Sequence, residues 1–374
     1  MNFMNQRIIL MMIPIFLAVS CQQGELDKEL MGQGGAEPES GELSASDSEP
    51  LQLTIMSHDS FAISETTFSA FESENNVQIV LLPAGDAGAA LNQAILAKDD
   101  PLADVFFGVD NTFLSRALDA DIFLPYESSK LSKVPPALIL DESYRLLPVD
   151  FGDVCLNYDK EWFETAGLEP PKSLADLTNP AYADLLVVQN PATSSPGLAF
   201  LLATIGFYGV DGDYTYLDYW EELRENGVLV TQGWEEAYFG YFSAAGSGER
   251  PIVVSYASSP PAEVVFSDPP VLEPPTAAVT SSNSCFRQVE FVGILKGTAV
   301  RNLAAEFIDY MLDIRFQEDI PLNMFVFPAN AEAELPEVFL KWAVIPEEPV
   351  ALDPSDIESN REKWIEAWTE TVLR

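Results

Sequence analysis

The sequence predicts an α/β protein built as two lobes, with a ligand cleft between them and crossing strands as the hinge. Three observations carry this. Between residues 51 and 110, apolar runs of strand length alternate with helix-period stretches, which indicates a largely parallel sheet. A second set of strands and helices lies between residues 184 and 256. Two longer β-like segments, 145–158 and 286–295, read as strands that leave the first lobe and return to it. One lobe is therefore expected from residues 51–150 with 289–374, and the other from 151–288.

Leu51, Leu53 and Ile55 alternate with polar residues and predict a strand that ends at Ser57-His58-Asp59-Ser60-Phe61. A helix is expected over 65–74 and a strand over 77–82. Gly85-Asp86-Ala87-Gly88 then leads into a helix with Leu91, Ile95 and Leu96 on one side. Residues 103–109 form a third strand, ending at Asp110-Asn111. Ligands of such sheets gather beyond the carboxyl ends of the strands. That rule singles out Asp59 and Ser60, Asp86 and Ala87, and Asp110 with Asn111.

In the second lobe a strand is expected over 184–188, a loop over 189–197, and apolar helices over 198–208 and 216–226. The stretch 231–259 runs through Gly233-Trp234, an aromatic amphipathic helix, a turn at 246–248 and a short strand over 252–255. That strand delivers Tyr256, Ala257, Ser258 and Ser259, an aromatic beside small polar groups, as a small-molecule pocket needs. A helix over 303–314, a loop at 325–328 and a closing helix over 357–373 complete the chain. Trp364 and Trp368 share one face of that last helix.

Residues 1–21 read as an export signal. Arg7 is followed by an apolar run, 8–19, too short to span a bilayer comfortably. Ala18-Val19-Ser20-Cys21 resembles a bacterial lipobox with Cys21 lipidated; the alternative is an ordinary signal peptide with a stray cysteine. Residues 22–50 are acidic, rich in Gly and Ser and free of aromatics, so they are expected to be disordered. Such a tether has a reach on the order of 30 Å. The body is then expected outside the cytoplasm, attached to the membrane through Cys21.

Charge narrows the classes of function. With 19 basic and 59 acidic side chains the net charge is −40. Phosphate backbones need clustered Lys and Arg, so nucleic acid is not an expected partner. The acidity fits a cationic ligand or simple solubility. His58 is the only histidine, which argues against His-based zinc sites and His-dependent nucleophilic catalysis. His58-Asp59-Ser60 holds triad residue types, but neighbours along a strand point to opposite faces. A hydrolase built on Asp59, Asp86 or Asp110 is the rival from another class; a surface-recognition protein without a small ligand is another. No cofactor, metal or catalytic residue is expected.

The remaining motifs have two readings each. Ser194 and Ser195 precede an apolar helix, where they could cap it or, with its free amides, hold an anion. Trp234, Tyr238, Tyr241 and Phe242 fall at helical spacing, a core stripe for the last three. Trp234, at the helix start, could instead stack on a ring or a cation. Cys155 and Cys285 are the only cysteines of the exported body and lie on the two crossing segments. An even pair in an oxidising compartment predicts a disulfide, although spacing alone leaves their contact open.

From about Leu53 to the C-terminus the chain resembles the thiamine-binding proteins of bacterial ABC importers. The resemblance rests on several stretches in the family's order. They are HDSF at 58–61, ADVFFGVDN at 103–111, PVDFGDVCLNYDK at 148–160, NPATSSPGLAF at 190–200, TQGWEEAY at 231–238 and SYASSP at 255–260. It implies a type II periplasmic binding protein fold and a monomer that delivers thiamine, or its phosphates, to an ABC permease. It places ligand positions on Asp86-Ala87, Ser194-Ser195, Trp234 and Tyr256 to Ser259. Phe325 stands where the family can carry a tryptophan, His58 where a tyrosine is common, and Ala262 where some members carry a tyrosine. A polyamine carrier of the same fold is the rival within the class; it would have no use for the Ser194-Ser195 anion site.

Overall fold

A computed structural model of the chain describes residues 50–246 and 248–374. The expected leader, Cys21, the tether up to residue 49 and Ser247 lie outside the described residues.

Strand β1 (Leu51–Ser57), helix α1 (Glu65–Asn75), β2 (Val77–Pro83), α2 (Ala87–Leu96), β3 (Val105–Asp110), α3 (Leu114–Asp119) and β4 (Phe123–Leu124) come first. Both β2 and β3 run parallel to β1, as the alternation of strands and helices predicts. Every residue of β3 is buried, because helices cover both faces of a parallel sheet. One detail differs: Leu96 ends α2 with 87% of its surface exposed, past the turn that packs on the sheet.

Next come β5 (Leu147–Asp159), α4 (Lys160–Ala166), β6 (Leu186–Gln189), α5 (Ser195–Tyr208), α6 (Tyr216–Glu225), β7 (Leu229–Thr231), a π-helical turn at Glu236–Tyr241, β8 (Ile252–Tyr256), α7 (Pro260–Val265) and β9 (Thr276–Val279). Residues Ser195–Ile205 of α5 are all buried, so this helix is apolar all round and forms the centre of its lobe. The chain closes with β10 (Phe286–Leu295), α8 (Arg301–Met311), α9 (Ile314–Gln317), α10 (Ile320–Asn323), β11 (Phe327–Pro328), α11 (Glu337–Trp342) and α12 (Pro354–Leu373).

One sheet runs β2-β1-β3-β10-β5-β8-β6-β7 through the molecule. Its two halves are joined by the two strands read as crossing. The first part of β5 pairs with β10, and its last part with β8 and β9. Thirteen residues extend roughly 43 Å, enough to reach from one lobe to the other. Beside this crossing, Cys155 and Cys285 are joined in a disulfide. Asp153 and Arg287 form a bidentate ion pair two residues along the same ladder.

The closing helix differs from the expected division. α12 packs on α6 of the other half, where Trp368 meets Trp220 edge-on at 5.4 Å. Its Arg361 reaches back to the carbonyl of Thr112. α12 thus touches both halves.

Candidate functional site

A cavity of about 700 Å³ lies between the carboxyl ends of β1 and β2 on one side and Ser195, Trp234 and the end of β8 on the other. Its first wall begins where the parallel strands stop. The amide of Asp59 donates to the carbonyl of Gly85, and the amide of Gly85 donates to Oδ1 of Asp59, both at 2.9 Å. Gly85 holds φ +86°, a conformation open to glycine at little cost. The turn sets Asp86 as the N-cap of α2, where its Oδ1 accepts from the Ala87 amide at 2.7 Å.

Asp86 also reaches across the cleft. Its Oδ2 accepts from the Trp234 amide at 2.8 Å, and Oδ1 accepts from the Ser195 amide at 3.4 Å. Burial raises the Asp86 pKa; the Trp234 amide, His58 and the Ala87 amide pull against that rise. One carboxylate therefore holds the starts of three elements.

The second wall is built around Trp234. Its indole N–H donates to Oγ of Ser255 at 3.0 Å, which in turn shares a hydrogen bond with Oγ of Ser259. Tyr238 stacks on the ring at 4.7 Å and donates its hydroxyl to Glu263 at 2.6 Å. Tyr256 donates to Oε1 of Gln288 at 3.1 Å. Phe325 lines the cavity from the segment before β11, at φ +56°, a rare and strained conformation for a bulky side chain.

The floor is charged. His58 lies buried over β3, and Gly108 makes room for it: a Cβ there would stand 2.3 Å from the imidazole. Its Nε2 is 3.2 Å from Oε1 of Glu290. A β-bulge follows Glu290 in the pairing of β10 with β5; bulges re-aim side chains beside sites. Burial works to lower the His58 pKa, but Glu290, Asp86 and Asp59 outweigh it and hold the imidazole above its usual range. Burial and the neighbouring Glu290 raise Asp150 well above the ordinary carboxylate range. Glu290 itself is pulled down against burial by His58. Asp59, Asp86, Glu235 and Glu290 all line the cavity, and among the described residues no lysine or arginine does. Such a site suits an organic cation with flat rings.

Of the residues singled out in the sequence, Asp59, Ser60, Asp86, Ala87, Ser195, Trp234, Tyr256, Ser259 and Phe325 line this cavity. Ser194 does not: it is buried as the N-cap of α5, its hydroxyl accepting from the Gly197 amide. Ala257 and Ser258 are likewise buried behind the wall. Asp110 is turned away into its own corner, where Thr112 and Gln288 bond it. Burial lifts its pKa to about 6, against the pull of Thr112 and Ser195. Tyr241, expected in the core, is 38% exposed. The residues of the triad-like run part company: His58 goes to Glu290, Asp59 to Gly85 and Ser60 to Glu235. Sequence reading missed Glu235, Glu263, Phe266 and Glu290. Only Glu290 carried a signal, as a charge within an apolar strand.

A family model for bacterial extracellular solute-binding proteins matches residues 100–344. The chain belongs to this family. It is 30% identical over 327 residues to a thiamine-binding periplasmic protein of Salmonella typhimurium, covering 86% of this chain and 94% of that one. A protein of Escherichia coli with the same name is 29% identical over 326 residues, with the same coverage. Among solved structures, a periplasmic thiamin binding protein superposes with a TM-score of 0.78 at 27% identity, covering 89% of this chain and all of the other. The periplasmic binding protein AfuA from Actinobacillus pleuropneumoniae, at 18% identity and a TM-score of 0.71, covers 86% of this chain and 98% of that one; it shares the fold. The solute-binding protein is thus a two-lobed type II periplasmic binding protein in architecture.

Proposed function

We propose that this solute-binding protein captures thiamine between its lobes and delivers it to an ABC permease. The observation that carries the reading is the joint made by Asp86 and Trp234 at the edge of an acidic, aromatic cavity. It occurs in a chain similar along most of its length to thiamine-binding proteins. Thiamine combines a permanent cation with two flat rings. Asp59, Asp86, Glu235 and Glu290 suit the cation, and Trp234, Tyr256 and Phe325 suit the rings. A thiamine phosphate would share the amides of Ser195 and Trp234 with Asp86, so the free vitamin is the better fit.

No reaction is part of this reading, and no cofactor. Closure takes place about the crossing strands β5 and β10, with residues 51–150 and 289–353 moving against 151–288 and α12 touching both halves. Export, lipid attachment at Cys21 and a monomeric body complete it. Among the described residues no helix is long and apolar enough to cross a membrane.

The test is a titration of the chain with thiamine, thiamine monophosphate, thiamine diphosphate and spermidine, followed by tryptophan fluorescence. Thiamine should give the tightest saturable response. A clear spermidine response with none to thiamine would replace this reading with the polyamine one.

A further inference from the structure

Phe266 is a large apolar side chain that folding leaves unused. It sits at the C-terminal end of α7, its amide bonded to the Ala262 carbonyl at 2.9 Å, yet 70% of its surface is exposed. It is not stranded on the outside of the protein, because it lines the cavity. Its ring meets Phe325 edge-on, with centroids 5.4 Å apart and planes at 66°. The two rings come from different walls: Phe266 follows β8, while Phe325 follows β10. The contact therefore spans the mouth.

Both partners are fixed from behind. Phe325 belongs to a cluster with Phe327 and Phe339 and is held at a positive φ. On α7, Glu263 lies one turn before Phe266 and receives the hydroxyl of Tyr238, which stacks on Trp234. Trp234, α7 and Phe266 thus form one connected wall. Pre-organised rings in edge-to-face contact, one of them mostly unburied, make an aromatic corner whose free faces are available to a ligand.

We infer that Phe266 is a ligand-contacting residue of this cavity, forming with Phe325 an aromatic corner against which a flat ring packs. The inference rests on the thiamine reading and adds a residue to it. Burying most of a phenylalanine ring on binding corresponds to about ten- to thirtyfold in affinity.

The experiment is isothermal titration of the full chain with thiamine, beside thermal melting without ligand. F266A should weaken binding by about ten- to thirtyfold and leave the ligand-free melting temperature within about a degree, since the ring buries little in the fold. F266L tests whether the corner needs a ring or only apolar bulk: it should recover part of the loss and stay about three- to tenfold weaker than wild type. F266W should restore affinity to within about threefold. F266A binding thiamine as tightly as wild type would overturn the assignment while leaving the thiamine reading intact. Full rescue by F266L would overturn the aromatic corner. Absence of thiamine binding in the wild-type chain would overturn both.

Discussion

Replacing Asp86 with alanine removes a carboxylate shared by three backbone amides, two of which belong to the far side of the cleft. The Ala87 and Trp234 bonds, at 2.7 and 2.8 Å, are well formed, and the Ser195 bond, at 3.4 Å, is long. A hydrogen bond to a charged group contributes roughly 1.5–3 kcal/mol net. The cap alone is worth about 1 kcal/mol and would be lost from the first lobe whatever the ligand does. Desolvation, which raises the pKa of this carboxyl, offsets part of the rest. About 2 kcal/mol then remains for the Trp234 and Ser195 bonds, and it falls on closure of the cleft. That is roughly a thirtyfold loss of thiamine affinity. The cap loss should lower the ligand-free melting temperature by only a few degrees. D86N keeps an oxygen for the cap but loses the charge, so its affinity should fall between the two. Titration calorimetry and a melt on each variant decide the matter. Wild-type affinity in D86A would show that Asp86 is a cap and nothing more.

Three further outcomes follow from the geometry. W234A should weaken thiamine binding about tenfold with a small change in melting temperature, whereas W368A, which empties a fully buried site against Trp220, should cost about 3–5 kcal/mol of stability; parallel melts and titrations separate the roles. Lowering pH from 8 to 5 should raise the melting temperature. Asp86, Asp110 and Asp150 hold their protons more tightly folded than unfolded, so their contribution is full below the ordinary carboxylate pKa and is lost as pH rises through the folded values, about 6 for Asp110. His58, also raised, adds in the same direction, while Glu290, lowered, gives back stability only under stronger acid; a steady fall in melting temperature from pH 8 to 5 would contradict this balance. Replacing Cys155 and Cys285 together by serine should cost about 3–5 kcal/mol, since their bond closes a loop of 130 residues; denaturant melts of the variant and of wild type would measure it.

Much of the fold was legible because it is written locally. The period of two in β1, the helix-starting Asp86 and Ser194, and the buried runs of β5 and β10 each declare themselves within a dozen residues. The site was legible only where it coincides with strand ends and helix starts. His58 and Glu290 meet from distant parts of the chain, and the bulge that aims Glu290 leaves no mark in the sequence. Tyr238 is core and cavity wall at once, buried yet lining the site, so its apolar spacing hid half its role. Tyr241 was misplaced for a geometric reason. The turn at Glu236–Tyr241 is π-helical, with more residues per turn than the 3.6 of an α-helix, so a residue read as facing inward rotates out.

The Cys155–Cys285 bond gives one half of the molecule an unusual covalent form. The segment between these residues, 130 positions apart, is a ring attached to the rest by both of its ends. A protease that nicks any exposed turn within it opens the ring without releasing a fragment. The nicked protein would keep its full mass on a non-reducing gel and fall into two pieces only after reduction. A single cut in that half would therefore not by itself cast off the Trp234 wall.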